Sequence, residues 1–407
     1  MDDASALLLT VTGRDRPGLT AALCQELAHW GARILDIEQV VIRERLTLGI
    51  LVSLGAEESA TCTALTERAA ALDVSIEFEQ MASRRPRVQQ VRHYVTILGQ
   101  PLRAEAIAGI TGRITAVGGN IEKISRLSRY PILSLELLVS GGDPDRLRAE
   151  LAAEAAACRV DVAVQAATIY RRAKRLIVMD VDSTLVQGEV IEALAERAGC
   201  LGRVREITAQ AMAGDLDFEQ SLRDRVALLE GLPVSALDEV RDQLVLTPGA
   251  RTLLRTLQRL GYRTAIVSGG FTHITDDLQR RLGLDFAAAN TLEVVDGHLT
   301  GGLIGTVVDR AAKADLLERF AAEAGIPLTQ TVAVGDGAND LDMLTRAGLG
   351  IAFNAKPAVR RAADTAVSVP YLDAILFLLG ITREEIEAAD ADDPRMPPAH
   401  AGTILPG

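Results

Sequence analysis

Apolar and polar positions along the chain fall into stretches of differing rhythm. In residues 1–84 the apolar run Ala6-Leu7-Leu8-Leu9-Thr10-Val11-Thr12 predicts a strand, followed by the turn Gly13-Arg14-Asp15-Arg16-Pro17-Gly18. Leu19, Leu23, Leu27 and Trp30 then recur on one helical face, and Gly31 ends that helix. Strand-like runs follow over 34–42 and 46–54, then a helical pattern over about 59–72 and a strand over 74–79. Residues 91–168 repeat this order. A strand covers 94–98, Gly99-Gln100-Pro101-Leu102 opens a helix, and Gly118-Gly119 ends it. Strands over 120–127 and 132–139, a helix over 144–158 and a strand over 160–165 complete the second copy. Two βαββαβ units in tandem are an internal repeat.

From Arg175 strands alternate with helices, which predicts a doubly wound parallel sheet. Its strands are the apolar run ending at Met179, then 262–267, 331–334, 350–353 and 365–367. Between Thr184 and Pro248 there are only helical patterns (191–198, 218–229, 235–244), so about 186–247 reads as an inserted helical lid. Asp296-Gly297 marks a hairpin within 290–305. The chain thus divides into 1–84, 91–168, 171–387 and an Ala-, Asp- and Pro-rich tail, 388–407, expected to be disordered. The basic segments Ser83-Arg84-Arg85-Pro86-Arg87 and Arg171-Arg172-Ala173-Lys174-Arg175 read as solvated linkers. Each is short, lacks interleaved aromatics and lies at a boundary.

At 407 residues, 48% of them apolar, the chain has ample material for several cores. No apolar run reaches membrane-spanning length, and Met1-Asp2-Asp3-Ala4 lacks the positive start of a secretory signal. The scattered cysteines Cys24, Cys62, Cys158 and Cys200 have no metal-ligand spacing and read as reduced, mostly buried thiols. These features predict a cytoplasmic protein with no membrane partner. A net charge of −12 argues against nucleic-acid binding, and requires that an anionic substrate be held by local cations.

The candidate chemistry begins at Asp180-Val181-Asp182-Ser183-Thr184, where a strand buried on both faces ends. On an extended chain Asp180 and Asp182 would point the same way, toward the carboxyl edge where α/β sheets bind ligands. Two carboxylates there repel by about 4 kcal/mol at ~4 Å and an effective dielectric near 20, so they call for a cation. The second strand ends in Ser268-Gly269-Gly270, a hydroxyl and glycine amides suited to phosphate. Lys313 follows on a helix beginning near Asp309, and the third strand ends in Gly335-Asp336-Gly337-Ala338-Asn339-Asp340. Each element alone has a plain reading as a turn, a cap or a solvated charge. Together, in this order on one edge, they suit phosphoryl chemistry at an oxygen-ligated Mg²⁺.

The set Asp-x-Asp-x-Thr, Ser-Gly-Gly, Lys, Gly-Asp-Gly-x-Asn-Asp resembles the haloacid dehalogenase superfamily, and within it the phosphoserine phosphatases. That resemblance implies Asp180 as nucleophile and Asp182 as general acid and base. It implies Mg²⁺ held by Asp180, Asp336 and the Asp182 carbonyl, with Asp340 in support. Ser268, the Gly269 amide, Lys313 and Asn339 would hold the phosphoryl group. In the lid, Glu189 and Arg225 would meet the ammonium and carboxylate of phosphoserine, with Met212 and Phe218 beside them. The expected activity is the Mg-dependent hydrolysis of phosphoserine, the last step of serine biosynthesis. The two repeats resemble ACT domains, a ferredoxin-like fold that commonly binds amino acids. This implies a homodimer and an effector such as serine near Asp15 and Gly18. The second repeat lacks the Asp-Arg-Pro-Gly pattern. Two other readings stay open: a phosphatase or phosphomutase for another small metabolite, and a non-catalytic amino-acid sensor.

Overall fold

The computed structural model describes residues 6–55, 57–81, 91–213 and 217–392, with backbone only for Met212 and Ala213. The chain forms two compact units, Met1–Gln90 and Val91–Gly407. Among the described residues no helix is long and apolar enough to cross a membrane.

The first unit runs β1 (Ala6–Arg14), α1 (Leu19–His29), β2 (Arg33–Ile42), β3 (Arg45–Ser53), α2 (Glu58–Ala71) and β4 (Val74–Met81). Its sheet has the order β2-β3-β1-β4. Leu9 and Val11 on β1 and Leu48, Ile50 and Val52 on β3 alternate onto the face covered by Leu19, Leu23 and Leu27 of α1. Strand β2 lies at the edge with all ten residues exposed. Gly18, before α1, has φ 88°, and nothing lies within 4 Å of where a methyl would stand. Its glycine therefore answers to a left-handed backbone and not to a close approach of neighbouring atoms.

The second unit begins with β5 (Arg92–Gly99), α3 (Ala104–Ala116), β6 (Gly119–Ser128), β7 (Leu133–Gly141), α4 (Pro144–Cys158) and β8 (Asp161–Ala166), in the sheet order β6-β7-β5-β8. It continues with β9 (Leu176–Met179) and the lid helices α5 (Val190–Arg197), α6 (Leu201–Ala213), α7 (Phe218–Ala227) and α8 (Val234–Gln243). Then come α9 (Ala250–Arg259), β10 (Arg263–Phe271), α10 (Thr272–Leu282), β11 (Phe286–Val295), β12 (His298–Ile304) and α11 (Arg310–Glu323). The last elements are β13 (Thr331–Gly335), α12 (Leu341–Arg346), β14 (Gly350–Phe353), α13 (Pro357–Ala362), β15 (Thr365–Val367), α14 (Ile375–Leu378) and α15 (Arg383–Ala391). The seven-stranded sheet is ordered β12-β11-β10-β9-β13-β14-β15, with only β12 antiparallel to its neighbour. Strand β9 is central and buried along its length, so its carboxyl end lies among those of β10 and β13.

Four features differ from the sequence reading. The amino end of β11, Phe286 to Ala288, pairs parallel to β10, where only a later hairpin was expected. Its Phe-Ala-Ala-Ala run has little β-branched character to signal a strand. The tail does not begin at 388: α15 continues to Ala391 behind a Thr382–Glu385 capping box, and Asp390 bridges Arg255 and Arg259 at 2.5 Å each. Residues 393–407 lie outside the described residues, as does the segment 83–87. The 171–175 segment is not a solvated linker, since Arg171 is 4% and Lys174 7% exposed. Arg171 pairs with Glu136 on β7 and stacks 4.4 Å over the Tyr94 ring of β5, while Lys174 donates to the carbonyls of Thr329 and Gly348. The cysteines are free but only partly buried.

Within the second unit, the second repeat is docked on the α/β part through a shared core. Leu98, Leu127, Ile132 and Ala163 belong to the apolar cluster that includes Leu372, Leu376 and Leu379. Asp161 accepts the Ser368 amide at 2.6 Å, and Gln165 donates to the Leu378 carbonyl at 3.0 Å. At roughly 1.5–3 kcal/mol per buried large apolar side chain, this seam rivals the 5–15 kcal/mol stability of an ordinary domain. A chain beginning at Val91 should therefore unfold cooperatively in urea, whereas one beginning at Arg171 should aggregate or lose at least half of its stability. Equal midpoints for the two would show that the seam contributes little.

Candidate active site

The loop that carries Asp180 and Asp182 is not a continuation of β9. Regular strand ends at Met179, and residues 181–185 form a tight turn in which Ser183 adopts φ 58°. Asp180 and Asp182 both keep extended backbone, and the chain reverses just after them, at Ser183. The two carboxylates have different partners. Asp180 Oδ1 receives the Lys313 ammonium at 2.5 Å. Asp182 Oδ1 accepts the Val190 amide at the start of α5 at 2.8 Å, and its Oδ2 accepts the Ser268 hydroxyl at 3.2 Å.

Lys313 is wholly buried and also donates to Asp340 Oδ1 at 2.7 Å. Asp309 caps its helix, accepting the Ala312 amide at 2.8 Å, which orients the first turn of α11 toward the strand ends. Asp340 Oδ2 accepts the Gly337 amide at 3.0 Å, so both its oxygens are engaged. Gly335, the last residue of β13, leaves room for that carboxyl: a methyl there would stand 2.4 Å from Asp340 Cγ.

Carboxylate oxygens of Asp180, Asp336 and Asp340 lie within 4.8 Å of one another. The Asp182 carboxylate is not part of this cluster, so a metal role for that residue would have to come from its carbonyl. Three hard oxygen donors at this separation fit Mg²⁺ chemistry. The electrostatics agree. Burial first, then the neighbouring Asp340, Asp182 and Asp336, push Asp180 well above the usual carboxylate range, with Lys313 opposing. Burial, then Asp340, raises Asp336 to about 6. Burial alone would lower Lys313, but the charges of Asp180 and Asp340 overcome it and hold the ammonium protonated. Burial raises Asp182 too, against the Val190 and Ser268 hydrogen bonds.

The lid closes over this edge. Its two connections pair at Val186 and Leu246, and Thr247 donates to the Thr184 carbonyl at 2.7 Å. Glu189 accepts the Ser183 hydroxyl at 3.0 Å and is raised to about 7 by burial and by Asp182. Arg225 donates to the Ser221 carbonyl at 3.1 Å and to the Thr208 hydroxyl at 3.4 Å. Its burial lowers its pKa, with Glu189 and Asp182 opposing. Phe218 reaches the phosphate loop: a methyl on Gly269 would stand 3.3 Å from its ring. Asn339 is half-buried between Asp336 and Asp340. The side chain of Met212 lies outside the described residues. Asp15 and Gly18 belong to the first unit, where Asp15 is exposed and its amide donates to the Glu44 carbonyl at 2.8 Å. Sequence reasoning missed Thr208 beside Arg225, and it read Asn290 only as the start of a hairpin. Asn290 is 3% exposed and bound to the Gly269 carbonyl.

Family models match at three places: a haloacid dehalogenase-like hydrolase over residues 177–345 and ACT domains over 5–79 and 91–165. The chain is 58% identical over 397 residues to a Streptomyces coelicolor phosphoserine phosphatase, covering 96% of each. It is 54% identical over 397 residues to Mycobacterium tuberculosis phosphoserine phosphatase SerB2, covering 95% of this chain and 96% of that one. A crystal structure described as a probable phosphoserine phosphatase from Vibrio cholerae, unliganded, superposes with a TM-score of 0.57 at 36% identity, over 72% of this chain and 88% of that one.

The acid cluster has a thermodynamic signature. An acid whose folded pKa is raised from 3.8 to about 6 destabilises the fold. That penalty is absent below the unfolded value and complete above the folded one. In metal-free buffer at pH 7.5, Asp336→Asn should stabilise the protein by about 1–3 kcal/mol in urea melts, and the gain should vanish near pH 4. Saturating Mg²⁺ should stabilise the parent more than the variant. A variant less stable than the parent without metal would contradict this account.

Proposed function

The chain belongs to the phosphoserine phosphatases of the haloacid dehalogenase superfamily, with two ACT domains ahead of the hydrolase, and from that premise we propose a residue-by-residue mechanism for it. The substrate is O-phospho-L-serine, and the reaction is Mg-dependent hydrolysis through a phosphorylated Asp180. The observation that carries this reading is the buried Lys313 ammonium held between Asp180 and Asp340, with Asp336 beside them and Ser268 in contact with Asp182.

The Asp180 carboxylate attacks phosphorus while the bond to the serine oxygen breaks. Asp182, whose burial favours the protonated form, gives its proton to that leaving oxygen. Water then attacks the phosphorus of the aspartyl-phosphate, Asp182 takes the proton, and phosphate leaves with Asp180 restored. Ser268, the Gly269 amide and Lys313 hold the phosphoryl oxygens, with Asn339 near, so the trigonal transition state meets donors already in place. Asp180, Asp336 and the Asp182 carbonyl would hold Mg²⁺. Asp340, within 4.8 Å of the other two acids, would support the ion while it orients Lys313 and the loop. When bound, the ion neutralises charge between nucleophile and phosphate. Glu189 and Arg225 take the ammonium and carboxylate of the serine part, and Met212 and Phe218 close the lid over it. This activity is the final step of serine biosynthesis and is assigned to the cytoplasm.

For the ACT domains we read amino-acid regulation, with serine at the first repeat near Asp15 and Gly18. Gly18→Ala would be a poor probe because the left-handed backbone itself resists a side chain. The chain beginning at Val91 is the cleaner one: it should stay active and lose the serine response of the full chain. Inhibition of both chains by serine with equal strength would leave only competition at the active site.

The substrate assignment is tested at the lid. Arg225→Ala should lower kcat/KM for phosphoserine about ten- to hundredfold, the worth of a charge-assisted hydrogen bond. With p-nitrophenyl phosphate, which has no carboxylate, the loss should be less than about threefold. Equal losses on both esters would mean that Arg225 does not read the carboxylate.

A further inference from the structure

Strand β10 leaves its neighbour where the phosphate loop begins. Val267 pairs with Ala288 and Phe271 with Asn290, so residues 268–270 on β10 stand opposite the single residue 289 on β11. This bulge turns Ser268 and Gly269 out of the ladder, and it also removes the backbone partners that a regular strand would offer them. A carbonyl shielded from water and left without a partner costs up to about 1–3 kcal/mol, so the half-buried Gly269 carbonyl gains from a substitute. Asn290 supplies it, donating from Nδ2 to the Gly269 oxygen at 2.8 Å. Its Oδ1 accepts the Val308 amide at 2.7 Å. The two partners fix the amide's orientation, because Val308 can only donate there and the Gly269 carbonyl can only accept. The residue after Val308 is Asp309, the cap of α11, and the Lys313 amide bonds to the Asp309 carbonyl at 3.0 Å.

One buried side chain therefore ties the bulged loop to the segment that launches the lysine helix. We infer that Asn290 is a positioning residue that sets the spacing between the Gly269 amide and the Lys313 ammonium, and with it the grip on the phosphoryl oxygens. It acts through the two backbone groups it joins. The inference rests on the phosphatase reading of this site, though not on phosphoserine being the ester. Its effect should fall on whatever phosphoryl group binds, regardless of the alcohol attached.

The test compares Asn290→Ala and Asn290→Asp with the parent, all as full chains. Asn290→Asp keeps an acceptor for Val308 but offers the Gly269 carbonyl no donor. Both variants should lose about ten- to hundredfold in kcat/KM, by the same factor for phosphoserine and p-nitrophenyl phosphate. Competitive inhibition by inorganic phosphate should weaken in parallel, while the Mg²⁺ concentration for half-maximal activity stays within about twofold of the parent's. General loosening of the fold would shift the Mg²⁺ requirement together with phosphate affinity, and that outcome overturns the inference. So does unchanged phosphate inhibition in the two variants. If either variant is poorly folded, the other decides, and thermal-shift titration with inorganic phosphate reads the grip without turnover. A parent that hydrolyses p-nitrophenyl phosphate but not phosphoserine would overturn the substrate assignment and leave the Asn290 inference to be judged on phosphate inhibition.

Discussion

The active edge of this protein depends on one ammonium group removed from water. Lys313 has no exposed surface and is shared by Asp180 and Asp340. A buried charge of this kind persists only when its partners are fixed, and here each partner is fixed by a different element. Asp180 ends the central strand, Asp340 is braced by the Gly337 amide, and the lysine is aimed by the Asp309-capped α11. Burial first, and then repulsion among carboxylates that outnumber the ammonium, raise Asp180 and Asp336. That stored repulsion makes a divalent cation favourable at the site and an incoming phosphoryl group bearable beside it.

The rest of the second unit holds this arrangement still. The sheet order puts β9 between β10 and β13, so three loops converge without long excursions. The lid is tied to the loop after β9 by the Val190 amide on Asp182, and the loop 268–270 is tied to the lysine helix by Asn290. The second ACT domain is part of the same body. Its sheet shares apolar core with the segment around Leu372 to Leu379, and Asp161 holds the backbone just after β15. Strand β15 pairs with β14, and β14 with β13, whose end bears Asp336. A continuous set of contacts thus runs from that domain to the strand end beside the acid cluster.

Much of this was legible in the sequence because its signals are local. An apolar strand broken by Asp180 and Asp182, a Ser-Gly-Gly turn and a Gly-Asp-Gly turn each announce a strand end, and their order pointed to the fold and to residues that the sheet gathers at one edge. The signals that failed are non-local. Arg171 and Lys174 looked solvated because charged residues near a boundary usually are, and only docking of the second repeat buries them. Asn290 sits after an alanine run and resembles a strand stop, since its partners, the Gly269 carbonyl and Val308 amide, lie about twenty residues away on either side. Asp180 and Asp182 do hold the extended backbone expected of them, but the reversal that follows them carried no signal. That reversal puts Ser183 in the left-handed region, and no composition rule marks a serine for it.

The central claim is that Asp180 carries the phosphoryl group between substrate and water. It is tested most directly by mixing the full chain with phosphoserine and Mg²⁺, quenching in acid within milliseconds, and locating the phosphorylated residue by mass spectrometry. The account predicts one acid-stable, base-labile phosphate on the peptide containing Asp180, formed in a burst and absent from Asp180→Asn. Phosphate on another residue, or steady release with no covalent adduct at any time, would contradict it.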